Sequence, residues 1–321
     1  MDKRRELDGL KGYPAQLAPT LSCLLAVQDR PEESRWGDLV DCLRVSLPQL
    51  AKSEGVDVDN LISAQSLYTL RKLDLIEGRH EQTRLRYYGW YLARLASREI
   101  EFKQNFAAIL VEIDAKKFGL IAAAKEARRY PGEAIPLHAL ALSLARTKVD
   151  PCQSFEKLPD AARLEFQKLG LSVDGHRSRL SDTLRFYNYA DVLRRSDGTV
   201  TLLDSTLERA KRIRTQMVRP DIRKEEFFRA LLDEYELQVR RGGSPFLPMI
   251  PNLREPICKR LSIDDEMFKS FLLSLVPSYG NYKILLSPPS GAMPTWQTIR
   301  RDNNRYYYLS IYSRDTEGKA T

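Results

Sequence analysis

Residues able to carry chemistry are sparse in this chain. Asp114-Ala-Lys116 follows the apolar run 107–113 and has the Asp-x-Lys form that ends a nuclease-type strand. Phe102, Phe106, Ile109, Leu110 and Ile113 nevertheless recur at helical spacing, so the triplet is expected on a helix, where that chemistry has no frame. His80, His138 and His176 share no metal-ligand spacing, and no GxSxG, Walker loop or GxGxxG sequence occurs. Tyr87, Tyr88 and Tyr91 fit core packing better than a recombinase nucleophile. Cys23, Cys42, Cys152 and Cys258 lie far apart without a CxxC pair, which predicts reduced thiols and neither a disulfide framework nor a zinc ribbon. The expectation is a chain that is not an enzyme and takes no cofactor and no metal.

What the sequence offers instead is arginine. The net charge is +8 with a pI near 9.2, and 34 Arg stand against 17 Lys, so most of the positive charge sits on planar guanidinium forks that match phosphate oxygens and guanine edges. Such a balance favours a polyanionic partner. With 321 residues the chain has room for two or three domains, and its 43% hydrophobic and 29% charged residues are those of a folded protein rather than a disordered one. No run of about 18 apolar residues and no signal-type segment is seen, which predicts no membrane association and a cytoplasmic location.

The elements that must position these arginines repeat one plan three times: a helix, a second helix with polar residues on one side, and a strand–turn–strand. In the first segment Trp36, Leu39, Val40, Leu43 and Leu47 mark a helix closing near Pro48, and Leu67, Leu70 and Leu73 mark a second beginning near Asp59 or Asn60. Leu75-Ile76, a polar turn over 78–82 and a return strand over 83–87 follow. In the second segment Ala162, Phe166 and Leu169 line a helix, and Ser181 is expected to cap the next, which carries Leu184 and Tyr187. Val192-Leu193, Ser196-Asp197-Gly198 and 200–203 then read as a hairpin. The third segment has helices around Phe227 to Tyr235 and Leu253 to Leu261, with Pro256 expected in the first turn of the latter. A capping box Ser262-x-x-Asp265 precedes Phe268 and Leu272, and strands follow at 282–286 and 306–312. Between the first two segments, 101–144 reads as a hairpin of two helices broken at Gly132 and Pro136.

The stretches LRKLDLIEGRHEQTRLRYYGWYLARL and TLRFYNYADVLRRSDGTVTLLDSTLERA resemble the recognition helix, wing and trailing helix of the winged-helix superfamily at large. The resemblance implies a mainly α fold with small β-hairpins, in which tandem winged-helix modules are joined by a helical hairpin. It divides the chain into a first module over 1–98, a helical connector over 99–150, a second module over 151–220, and a C-terminal winged-helix-like module with an enlarged wing over 221–321.

In such modules the second helix enters the major groove and the wing lies along phosphates. The side chains expected on DNA are therefore Gln65, Ser66, Thr69 and Lys72 with Arg79, His80, Arg84 and Arg86 on the first wing. In the second module they are Arg177, Ser178, Arg179, Ser181, Arg185 and Asn188 with Arg194 and Arg195 on the wing. The third module begins its helix with Asp264, Asp265 and Glu266, which repel phosphate. Its strand is expected to turn Leu309 and Ile311 inward and to share Tyr306, Tyr308 and Tyr312 on the other face, for a protein partner or a second copy. The implied function is binding of double-stranded DNA within a bacterial DNA-processing or antiviral defence assembly. The alternative is an adaptor whose winged helices dock an ATPase or nuclease.

Overall fold

The computed structural model describes residues 10, 12–28, 30, 32–62, 64–78, 83–146, 179–219, 221–242, 247–291, 298–301 and 304–313. The chain divides into a first unit of residues 1–76 and 83–214 and a second of 77–82 and 215–321. Most of the described residues are helical, and the strands form small antiparallel sheets.

The first unit opens with a 3-10 turn, Pro14–Gln16, and α1 (Leu17–Val27), which buries Leu17, Leu21 and Leu24 on one stripe. Helix α2 (Glu32–Ser46) packs against it and buries Leu39 and Leu43, the i, i+4 pair expected from the sequence. Cys23 and Cys42 come together between these helices as a disulfide with a Cα–Cα separation of 5.7 Å. The expectation of reduced thiols is thus corrected for this pair: helix packing brings together two residues that no local motif joins. Cys258 is a buried thiol outside any disulfide.

Pro48 does not close α2 but opens α3 (Pro48–Glu54), where its missing amide is one of the donors a helix start leaves unpaired anyway. The long second helix expected here is two, α4 (Val58–Ile62) and α5 (Ala64–Lys72); Leu67 and Leu70 of α5 are buried. The strands expected as the first wing are short, β1 (Ile76–Glu77) and β2 (Arg84–Leu85), and Tyr87 already belongs to α6 (Tyr87–Ala93). Gly89 lets α6 approach the backbone ahead of β1: a Cβ there would stand 1.9 Å from the backbone oxygen of Leu75.

Helix α7 (Glu99–Ile113) buries Phe102, Phe106, Ile109, Leu110 and Ile113 as its spacing predicts. A π turn, Asp114–Phe118, leads through Gly119 at φ 68° into α8 (Leu120–Ala127). Asp114 is the polar hinge of this unit. Its Oδ1 accepts the amide of Leu120 at 2.9 Å and its Oδ2 that of Ile121 at 3.0 Å, while the Tyr187 hydroxyl donates to Oδ1 at 2.5 Å. Burial pushes the Asp114 carboxyl above its ordinary value, opposed by these three donors, and burial pushes the Tyr187 hydroxyl well up. Lys116 turns instead to Glu112, 2.7 Å away.

The segment expected as a two-helix connector holds three helices and a strand. After α8 come β3 (Ala134–Pro136) and α9 (Leu137–Arg146), so Pro136 lies in a strand rather than in a simple helix break. The helix expected over Ala162 to Leu169 lies outside the described residues. Helix α10 (Arg179–Tyr189) is followed by the hairpin β4 (Leu193–Ser196) and β5 (Thr199–Leu202), then by α11 (Asp204–Met217). Ser196 pairs with Thr199, leaving Asp197-Gly198 as the two-residue turn, with Gly198 at φ 76°. Ile135 pairs with Val200, giving a sheet of order β3–β5–β4. The module built around α10 therefore draws a strand from the segment read as connector, because a two-stranded hairpin alone is marginal and a third strand completes its pairing.

In the second unit α12 (Lys224–Gly242) carries Phe227, stacked on Phe271 at 5.0 Å and edge-on to Phe268 at 5.5 Å. Full burial of a phenylalanine is worth about 1.5–3 kcal/mol. Helix α13 (Ile250–Leu261) begins with Pro251 in its first turn and holds Pro256 in its interior, not in the first turn as expected. Ser262, at φ 53°, ends α13, and Asp264 caps α14 (Asp265–Leu275) by accepting the amide of Met267 at 2.8 Å. The expected capping box from Ser262 is thus displaced by two residues, since Ser262 is held in the left-handed region that closes the preceding helix. Arg254 bonds Glu77 and meets Asp265 at 3.0 Å.

Strands β6 (Ser278–Tyr279) and β7 (Tyr282–Ser287) precede the pair β8 (Ile299–Arg301) and β9 (Asn304–Tyr306), and β10 (Tyr308–Ser313) joins a sheet of order β10–β7–β6. Leu309 and Ile311 are buried, as their alternation predicts, and Ile284 with them; Ser310, expected on the opposite face, is buried as well. The aromatic strand is interrupted at Tyr307, however. Tyr306 pairs with Ile299 in the other sheet, so it does not share a face with Tyr308 and Tyr312.

Candidate nucleic-acid interface

Helix α10 presents one mixed face outward. Leu180, Leu184 and Tyr187 are buried, while Arg185 and Asn188 are exposed. The helix begins at Arg179, so Ser181 lies inside its first turn and is not its cap, in contrast to the sequence expectation; the backbone starts turning two residues earlier. Arg177 and Ser178 lie outside the described residues, and of Arg179 and Ser181 only the helical backbone is described.

The hairpin is locked to this helix. The side-chain oxygen of Asn188 accepts the backbone amide of Arg195 at 3.0 Å. Because an amide N–H can only donate, the Asn188 oxygen faces the hairpin and its NH2 end is the part turned elsewhere. Arg194 and Arg195 are both exposed although strand alternation sends them to opposite faces, since β4 projects beyond the core after Leu193. Asp182 lies 3.8 Å from Arg185 on the same helix, a loose exposed pair worth at most about 1 kcal/mol and readily exchanged for another anion.

In the first module the expected residues are placed as follows. Thr69 is buried at 1% exposure, on the core side of α5 with Leu70, so it cannot reach a groove. Arg86 is half-buried and paired with Asp74 at 3.3 Å, and Lys117 meets the same carboxylate at 2.6 Å. The guanidinium expected on phosphate is thereby engaged by a carboxylate of the same unit. Lys72 stands 5.3 Å from the ring centre of Tyr68, and Arg84 is half-buried in β2. Arg79 and His80 lie outside the described residues, as do the side chains of Gln65 and Ser66.

A cleft of about 520 Å³ opens beside α10, lined by Tyr13, Pro14, Glu54, Arg185, Asn188, Tyr189 and Arg195. Three of the expected residues meet there. Sequence reasoning missed the other four, although Tyr189 sits four residues after Arg185 and so shares its helix face. Nothing local in the sequence points to Tyr13, Pro14 or Glu54. The N-terminal segment reaches α10 through the backbone amide of Leu10, which donates to the buried Thr183 hydroxyl at 3.0 Å, and through the packing of the 3-10 turn against the helix. Tyr189 is held by the ring of Phe106 at 6.2 Å and the Lys103 ammonium at 4.9 Å. Burial, assisted by Glu99, pushes its hydroxyl up to about 12, so it stays protonated and able to donate at neutral pH.

In the second unit Tyr312 is exposed, Tyr308 is half-buried with its hydroxyl 3.2 Å from that of Ser290, and Tyr306 is half-buried in β9. Two of the three acids that were expected to repel phosphate have internal duties, Asp264 as a cap and Asp265 on Arg254. Among the described residues no group of three or more His, Cys, Asp or Glu is placed to hold a metal ion, and no helix is long and apolar enough to cross a membrane. No family model, curated protein or solved structure matches this chain.

Proposed function

We propose that this protein binds double-stranded DNA without catalysing a reaction on it, through tandem winged-helix modules, as a subunit of a bacterial DNA-processing or defence assembly. The observation that carries the reading is the pairing of α10 with its hairpin: Arg185, Asn188, Arg194 and Arg195 are exposed on one helix–hairpin unit, and the Asn188–Arg195 hydrogen bond fixes helix and wing together. Among the described residues, the order α8, β3, α9, α10, β4, β5 with a sheet of order β3–β5–β4 supports a winged-helix reading for this module. The non-enzymatic part rests on Asp114, whose oxygens are taken up by two backbone amides and Tyr187.

The test is a gel-shift series with random duplex across salt concentrations. Each phosphate that a substitution leaves without its cation should lower the magnitude of the log–log salt slope by about 0.9, so Arg194→Ala with Arg195→Ala should flatten it by up to about 2. A slope indifferent to both substitutions would sink the proposal. The adaptor reading has its own support in Tyr312 and Leu285, exposed by 49% and 38% on the sheet of the second unit, and it predicts association that tolerates salt.

A further inference from the structure

The cleft beside α10 carries more chemistry than a duplex backbone requires. Its lining combines two arginines, one carboxylate, one asparagine amide and two tyrosine rings. Guanidinium forks take phosphate oxygens, and aromatic rings offer a base a stacking surface. A carboxylate accepts from ribose hydroxyls or an exocyclic amine, and the Asn188 NH2 end donates to a ring nitrogen or carbonyl. A volume of about 520 Å³ lies within the range of small-molecule sites. The walls are also preformed. Tyr13 is tied down by the amide of Gln16 on its carbonyl at 3.1 Å and by the anchored N-terminal segment, Tyr189 by Phe106 and Lys103, and Asn188 by Arg195. Glu54 ends α3, whose C-terminus is closed by Gly55 at φ 65°. A preformed site gives up little conformational freedom on binding.

We propose that this cleft is a binding site for a single nucleoside monophosphate unit, with the phosphate on Arg185 and Arg195 and the base against Tyr13 and Tyr189. The proposal rests on the nucleic-acid reading of Arg185, Asn188 and Arg195 and narrows it to one nucleotide whose base is out of the stack. The same chemistry arrives from two sources, a free nucleotide or the 5′-phosphorylated end of a strand.

The full-length protein is titrated calorimetrically with adenosine 5′-monophosphate, with adenosine, with ribose 5-phosphate, and with a short single strand carrying or lacking a 5′-phosphate. Adenosine 5′-monophosphate should bind with a dissociation constant of about 1 mM or tighter, and at least about tenfold better than adenosine or ribose 5-phosphate, because only the intact nucleotide engages both ends. Tyr13→Ala should weaken it about tenfold by removing the stacking surface, and Tyr13→Phe should restore it. Lys211→Ala, in α11 and outside the lining of the cleft, should leave it unchanged. If the phosphorylated strand binds more tightly than the free nucleotide and the unphosphorylated strand does not, the natural ligand is a strand end; the reverse order assigns it to the free nucleotide. Binding of neither, equal binding of ribose 5-phosphate, or Tyr13→Ala without effect overturns the proposal. A blunt-duplex gel shift on the same samples separates the two readings: failure of that shift with nucleotide binding intact refutes the duplex reading alone.

Discussion

Replacing Gly89 by alanine should be the most damaging single-methyl change in the first unit. The added Cβ would lie 1.9 Å from the Leu75 oxygen, 2.8 Å from its carbonyl carbon and 3.3 Å from its Cα. An ordinary contact begins near 3.4 Å, so α6 and the Leu75 backbone must part by about 1.5 Å. No side chain can yield, because the obstacle is backbone. The same oxygen also accepts the amide of Arg86 at 3.0 Å, and that bond must stretch if the chains separate. Overpacking costs about 1–3 kcal/mol, and a backbone clash belongs at the top of that range. For a unit of this size about 3 kcal/mol lowers the unfolding midpoint by roughly 6–12 °C. Gly37→Ala in α2 is the control, since its Cβ meets nothing within 4 Å and the residue is exposed. That change should stabilise by up to about 1 kcal/mol through helix propensity. Calorimetric melting of both variants decides the matter: a Gly89→Ala midpoint within about 2 °C of wild type would refute the close approach of α6 to Leu75.

Asp114→Asn should alter the pH dependence of stability. The folded-state carboxyl is raised above its ordinary value, so its contribution is fully present below that value and is lost as pH rises through the folded one; urea midpoints of wild type relative to the variant should fall over that acid limb, and a pH-independent difference would contradict this. Cys42→Ser should cost about 3 kcal/mol under oxidising conditions, from the loop closed over a separation of 19 residues, and nothing in excess reductant. Equal stability in both conditions would argue against the pairing. Asp264→Ala should cost about 1 kcal/mol by removing the cap on Met267, whereas Ser262→Ala should not reproduce a cap loss; the reverse ranking in denaturant melts would return the cap to Ser262.

Local periodicity made α7 and the Asp197-Gly198 hairpin legible, because both depend on neighbours within a few residues: a stripe at helical spacing, and a turn whose Gly198 takes a positive φ. Inward orientation of Leu309 and Ile311 was legible for the same reason. What stayed hidden were choices made by distant partners. Ile135 finds Val200 across 65 positions of sequence, and no feature of Ala134-Ile135-Pro136 announces it. Cys23 meets Cys42 only because α1 packs on α2. Thr69 and Arg86 were assigned outward by residue type, but core packing of α5 and the Asp74 carboxylate claim them. At the cleft the helix face was readable and the opposite wall was not, since Tyr13 and Glu54 come from elements far away in the chain.

The bond between Leu10 and Thr183 spans 173 positions of sequence and has a consequence for how the chain is made. A ribosome adding about 5–20 residues per second needs roughly 9–35 s to reach Thr183 after Leu10 has been laid down. Throughout that interval the segment around Leu10 has no α10 to dock on, and Leu10, fully buried in the finished molecule, stays in water or in a nascent-chain chaperone. Leu10 is thus settled long after it is synthesised, and the wall that Tyr13 contributes to the cleft is completed only after the helix it faces has left the exit tunnel.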